Sequence, residues 1–191
     1  VRALGPGFRH YTRAYTPRPT REATIAALET GAFPHAAEGR LRLLRVVDWD
    51  GGALPPAQTL LVTAPHGGVP DDWRETSVRV PLAVRGSGAE DGLVTLVDAA
   101  RGLQRRESIF AYGKFETPDE WRMVVRGLDK LVVNVRMEVT GLFNLGSDPT
   151  EENNLASSTS HTLLRDELLA HLRTWIRHTA FRMDPSGLKR R

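Results

Sequence analysis

His66 closes the run Thr59-Leu60-Leu61-Val62-Thr63-Ala64-Pro65-His66-Gly67-Gly68, in which a short β-prone stretch opens into a loop. In open α/β sheets that end of a strand is where ligands bind, which makes His66 the first candidate for chemistry. Lys114 and Lys130 offer point charges for an anion, and the pair Asp71-Asp72 offers carboxylates to a cation. Arg79 and Arg85 flank a Val-Pro-Leu strand, where they are expected to hold loops or sheet edges. The chain of 191 residues contains no cysteine, which excludes disulfides, thiolate metal ligands and a thiol nucleophile. No acid, base and nucleophile stand together in the sequence as a stated constellation.

The elements that must position these residues can be read from pattern. Thr20 to Thr30 reads as a short helix, with Thr20 as its cap, Glu22 in the positive first turn and Gly31 as its stop. Leu41 to Val47 is open to either helix or strand, and so is Leu93 to Ala100. Val78 to Val84 reads as a strand in which Pro81 must lie at an edge or a bulge. From Ser108 onward, segments 109–112, 122–125, 130–135 and 140–144 follow at hairpin spacing and predict a small antiparallel sheet. Asp148-Pro149 marks a turn, and His161 to His178 carries Leu164, Leu168, Leu172, Trp175 and Ile176 on one helical face.

Composition narrows the function classes. With 40% hydrophobic and 26% charged residues the chain is that of a globular protein, and its net charge of +3 comes from scattered arginines. The one basic run, Lys189-Arg190-Arg191, has no aromatic residues interleaved for base stacking, so no nucleic-acid partner is expected. No apolar run approaches the roughly 18 residues of a membrane span, so no membrane partner is expected either. No export signal is visible, which favours a cytoplasmic location.

Five segments together carry a family resemblance. Gly141-Leu142-Phe143-Asn144-Leu145-Gly146-Ser147-Asp148-Pro149-Thr150-Glu151-Glu152-Asn153-Asn154-Leu155-Ala156 is similar to the pattern L-Y-D-L-x-x-D-P-x-E-x-x-N-L-A of the sulfatases, within the alkaline-phosphatase superfamily. Residues 122–134, with Lys130, resemble the family's basic strand. Residues 73–85 resemble its E-E-s-v-R-V-P-L segment, and 59–67 its strand ending in S-D-H-G. Residues 13–35, from Arg13-Ala14-Tyr15-Thr16-Pro17 to Phe33-Pro34-His35, resemble the segment that bears the nucleophile. The resemblance implies an α/β protein: a truncated sulfatase-like central sheet with flanking helices over 1–107, then an antiparallel sheet and helix over 108–191.

The departures from the family pattern concern its chemistry. A sulfatase takes its nucleophile from cysteine or serine, and without gaps from Tyr15 to Gly31 that position is Arg21, while the family's following arginine is Ile25. Guanidinium is not a nucleophile at neutral pH, and Ile25 has no donor for a sulfate oxygen. Thr20 and Thr24 are the substitute candidates, because some members of the superfamily use threonine at a helix N-terminus. Of the family's metal ligands only His66 is matched, since the neighbouring aspartate reads Pro65 and two carboxylates belong to a strand that should precede Val1. No cofactor is therefore expected, and calcium only if another segment or chain supplies the missing carboxylates. These substitutions imply a catalytically inactive sulfatase-like protein. The alternatives are a sulfate or phosphate ester hydrolase completed by a partner chain or using Thr20, and a module that binds sulfated glycans or assembles through exposed sheet, as a homo-oligomer or with a partner.

Overall fold

The computed structural model describes Leu4 and residues 7–30, 44–47, 60–64, 67–85, 92–96, 98 and 106–179. The chain is a mixed α/β protein built on two sheets. The first contains β1 (Phe8–Tyr15), β2 (Leu44–Val47), β3 (Leu60–Thr63), β4 (Arg79–Arg85) and β5 (Leu93–Thr95), in the order β2-β3-β4-β1-β5. Strand β4 runs antiparallel to both β1 and β3, whereas β1 with β5 and β2 with β3 are parallel pairs. Helix α1 (Arg21–Thr30) covers one face, and its Leu28 packs with Tyr11, Ala14, Val80, Leu82 and Val84.

Pro81 is accommodated in a way that its own segment does not reveal. Strand β4 is interior, so the proline sits on no edge. The irregularity lies opposite it in β1, where the register passes from Tyr11↔Leu82 directly to Ala14↔Val80. A bulge in the partner strand removes the ladder bond that a residue without an N–H cannot donate. On the other side β3 ends at Thr63, paired with Leu82, and the Thr63 hydroxyl donates to the Pro81 carbonyl at 2.8 Å.

The segments that were open to two readings resolve as strands, β2 over Leu44–Val47 and β5 over Leu93–Thr95. After β5 a tight Thr95–Asp98 motif is held by Arg106, whose guanidinium donates to both Asp98 oxygens at 2.6 and 2.7 Å.

The second sheet is a four-stranded antiparallel meander of β6 (Ser108–Gly113), β7 (Trp121–Arg126), β8 (Asp129–Asn134) and β9 (Val139–Asn144). Its strands are apolar almost throughout because both faces are covered. Ile109, Ala111, Met123, Val125, Val132 and Phe143 meet Tyr15, Val78 and Leu93 of the first unit. The other face, with Val124, Leu131, Val133 and Leu142, receives Leu168, Leu172 and Trp175 of α3 (Thr162–His178). Those three helix positions follow the 3.6-residue period, so one stripe of α3 is enough to close this core.

Local chemistry sets the hairpins. Gly127 adopts φ 58° as the first central residue of the two-residue turn that closes on Arg126↔Asp129. Gly113 is required for a different reason, since a Cβ there would lie 2.3 Å from the ring of its register partner Trp121. Among the described residues no helix is long and apolar enough to cross a membrane.

Candidate functional site

Four of the five motifs of the sequence meet at one point, and it is buried. Lys130, in the middle of β8 opposite Val125 and Phe143, has a side chain with no exposure to solvent. Its Nζ lies 2.6 Å from Glu151 Oε1 and 3.4 Å from Glu75 Oε1, and it donates to the Trp73 carbonyl at 2.6 Å. The ammonium also sits over the Trp73 ring, 5.6 Å from its centroid. Glu75 Oε2 accepts the Tyr15 hydroxyl at 2.9 Å, and Glu151 Oε2 accepts the Glu75 backbone N–H at 2.7 Å. Tyr15 comes from the segment 13–35, Glu75 from 73–85, Lys130 from 122–134 and Glu151 from 141–156.

Each partner is delivered by a specific local structure. Glu75 opens the single turn α2 (Glu75–Val78), whose N-terminal N–H is the group that Glu151 caps. Glu151 itself takes φ 59° in the loop that follows β9. That loop is knotted by Asp148, which accepts the N–H groups of Glu152 and Asn153 at 3.0 and 2.9 Å. Asn154 then pins it to β9 by accepting from the Leu142 N–H and donating to the Thr140 carbonyl.

The electrostatics are those of a closed cluster. A buried lysine is tolerable only when paired and hydrogen-bonded, and here one ammonium serves two carboxylates while the tyrosine satisfies the remaining oxygen of Glu75. Burial first, and the charge and hydrogen bond of Glu75 second, push the Tyr15 hydroxyl above its ordinary pKa, so it stays a donor. The donors of Lys130 are all turned toward protein atoms, and none is presented to a solvent-borne anion.

The positions around α1 are engaged in local structure as well. Thr20 is half-buried and its Oγ1 accepts the Ala23 N–H at 3.4 Å, the geometry of a helix cap. Thr24 is buried, its hydroxyl 2.7 Å from that of Thr16, and it donates to the Arg18 carbonyl at 3.3 Å. Arg21 is exposed on the first turn and Ile25 is half-buried on the second. His66, Pro65 and His35 lie outside the described residues.

The remaining candidates are dispersed. Asp71 faces Arg18 at 3.6 Å and Asp72 faces Arg74 at 3.1 Å, so both carboxylates look at guanidinium groups. Lys114 is half-exposed, 3.9 Å from Asp119. Arg79 donates from Nε to the Thr12 carbonyl, and Arg85 stacks 5.3 Å from the centroid of Phe8. Among the described residues no three histidine, aspartate or glutamate side chains come together as a metal site. The carboxylates among these candidates and their neighbours, Asp71, Asp72 and Asp119, each face a cationic side chain.

Sequence reasoning singled out Lys130 but not Glu75, Glu151 or Tyr15. The signal was present, since each sits within a quoted motif, yet the contacts that Glu75 makes span 55 to 76 residues and no local pattern joins them. Arg122 was missed too: it is buried on β7 against Glu120, and burial lowers its pKa while Glu120 opposes the shift.

About two thirds of the chain superposes on solved structures of one architecture. A 2-O GAG sulfatase matches at TM-score 0.55 and 16% identity, over 69% of this chain and 38% of that one. The fold is sulfatase-like. A second sulfatase-like match, solved with its substrate D-glucosamine-2-N,6-O-disulfate, has TM-score 0.53 and 16% identity over 66% of this chain and 35% of that one. The phosphonate monoester hydrolase of Agrobacterium radiobacter matches at 0.50 and 16% identity, over 70% and 39% of the two chains. The chain thus spans well under half the length of the sulfatase-like structures it matches. No family model matches the sequence, and no curated protein does.

Proposed function

We propose that this sulfatase-like protein is catalytically silent toward sulfate and phosphate esters and serves through binding or assembly. The reading is carried by the first two turns of α1. In the ungapped register with the family, the nucleophile position holds the exposed guanidinium of Arg21, and the position of the oxyanion-binding arginine holds Ile25. A shift of one residue to Thr20 brings in a hydroxyl that caps its own helix, and Thr24 is committed to Thr16 and Arg18. An alkoxide nucleophile requires a base to take its proton, and the hydroxyl of Thr24 donates instead to a backbone carbonyl.

The resemblance at the remaining motifs is accounted for without catalysis, because the Lys130 cluster is structural. The test is turnover of an aryl sulfate and an aryl phosphate diester by the purified chain, with and without calcium, beside Thr20→Ala and His66→Ala. The expected result is the same background rate in all preparations. Calcium-dependent turnover lost in either variant would overturn the proposal and point to a hydrolase using Thr20, or one completed by further polypeptide.

A further inference from the structure

Glu151 Oε1 lies 2.6 Å from Lys130 Nζ, yet among the described residues it accepts no hydrogen bond. The ammonium donates instead to the Trp73 carbonyl at 2.6 Å and to Glu75 Oε1 at 3.4 Å. A buried carboxylate oxygen at such range ordinarily takes a well-aligned, charge-assisted hydrogen bond. Here the contact runs off those directions, so the nitrogen is packed against the carboxyl group without being held as its donor. The neighbouring groups are placed for a reaction between the two. Glu75 Oε1 shares the same Nζ, and the Tyr15 hydroxyl holds the other Glu75 oxygen at 2.9 Å, which keeps Oε1 toward the lysine. The Glu75 backbone N–H donates to Glu151 Oε2 at 2.7 Å.

We infer that Lys130 and Glu151 condense to an amide, an isopeptide cross-link between β8 and the loop that follows β9. Glu75 relays one proton from Nζ to Glu151 Oε1, which removes the two charges that burial penalises. The amine then adds to the Glu151 carboxyl carbon, and the oxyanion that forms at Oε2 is stabilised by the Glu75 N–H. A second proton passes from Nζ to Oε1, the bond from carbon to Oε1 breaks, and Oε1 leaves as water. One ammonium and one carboxylate become one amide and one water, and no oxidant or further reactant is consumed. Groups held in contact react at effective concentrations of about 10⁵–10⁸ M, and the burial of both side chains withholds the water that hydrolysis needs. Trp73, stacked on Phe143, forms part of the enclosing wall.

The test is the intact mass of the purified, fully unfolded chain, followed by tryptic mapping. The expected chain is lighter than its sequence by one water. The expected map contains 127–136, uncleaved at Lys130, joined to 137–165 through Lys130 and Glu151. Lys130→Arg keeps the charge without an amine and is expected to show the full mass. Glu75→Gln keeps the shape and a partner for Tyr15 but not the relay, and its cross-linked fraction at early times after synthesis is expected to fall at least about tenfold. The wild-type mass decides the matter even where a variant folds poorly: the full sequence mass overturns the inference. Water loss that persists in Lys130→Arg, or that maps to Asp50-Gly51 or Asp91-Gly92 where an aspartate before glycine closes to a succinimide, overturns it as well. Undiminished cross-linking in Glu75→Gln overturns the role given to Glu75.

Discussion

Lys130 Nζ lies 2.6 Å from Glu151 Oε1, and the two side chains are 0% and 2% exposed. This contact ties the last strands of the molecule to the turn that precedes β4, because Glu151 in turn caps the Glu75 N–H. A buried ion pair is a poor source of net stability, but its rupture leaves one charge stranded. Glu151→Gln and Lys130→Ala are therefore each expected to destabilise the protein by about 3–5 kcal/mol in urea titrations. The double substitution Lys130→Met with Glu151→Leu is expected to lose less than the two single effects combined. Additive losses would show that the pair does not act as a unit.

The threonines of α1 separate capping from chemistry. Thr20→Ala removes the acceptor of the Ala23 N–H and is expected to lower stability by about 1 kcal/mol, while Thr20→Asp, a better cap, restores it. Thr24→Val removes its bonds to the Thr16 hydroxyl and the Arg18 carbonyl while Thr16 keeps its own bond to that carbonyl, and is expected to cost about 0.5–1.5 kcal/mol per bond lost. A nucleophile behaves otherwise: covalent labelling by a fluorophosphonate, mapped by mass spectrometry to Thr20 or Thr24, would contradict this assignment.

The antiparallel sheet and α3 were legible because their signals are local. Short β-prone runs at hairpin spacing and the Leu168, Leu172 and Trp175 stripe each act over a few residues, and the expected segments lie within a residue or two of the observed ones. Pro81 predicted an edge or a bulge, but not that the bulge would be in β1, because that depends on which strand became its neighbour. The Lys130 cluster was illegible for the same reason. A lysine between Asp129 and Leu131 reads as an anion site or as a strand position. Only the long-range arrival of Glu75 and Glu151 decides which.

Closure of the second core depends on α3. Leu172 is fully buried among Leu131, Val133 and Leu142, with Leu168 and Trp175 on either side along the helix. Leu172→Ala is expected to lower stability by about 2–5 kcal/mol through lost transfer energy and the cavity left behind. Exposed Leu163, at the start of the same helix, is the control, and Leu163→Ala is expected to shift the urea midpoint by almost nothing. Comparable effects at the two sites would mean that α3 does not pack through the stripe described.

Tyr15 makes the stability of the protein depend on alkaline pH in a predictable direction. Burial and the neighbouring Glu75 carboxylate both favour the neutral phenol, so its folded-state pKa lies above the unfolded value of 10.0. A group whose pKa rises on folding holds its proton more tightly in the native state. Its contribution is therefore complete below pH of about 10 and declines as pH climbs toward the folded pKa. Alkaline absorbance titration should show a late-ionising tyrosine that is absent in Tyr15→Phe. Tyr15→Phe removes that late step and flattens the loss of stability above pH of about 10, at the expense of an unsatisfied Glu75 oxygen at neutral pH. If Tyr15→Phe left the alkaline slope unchanged, the coupling between Tyr15 and Glu75 would not be the source of that dependence.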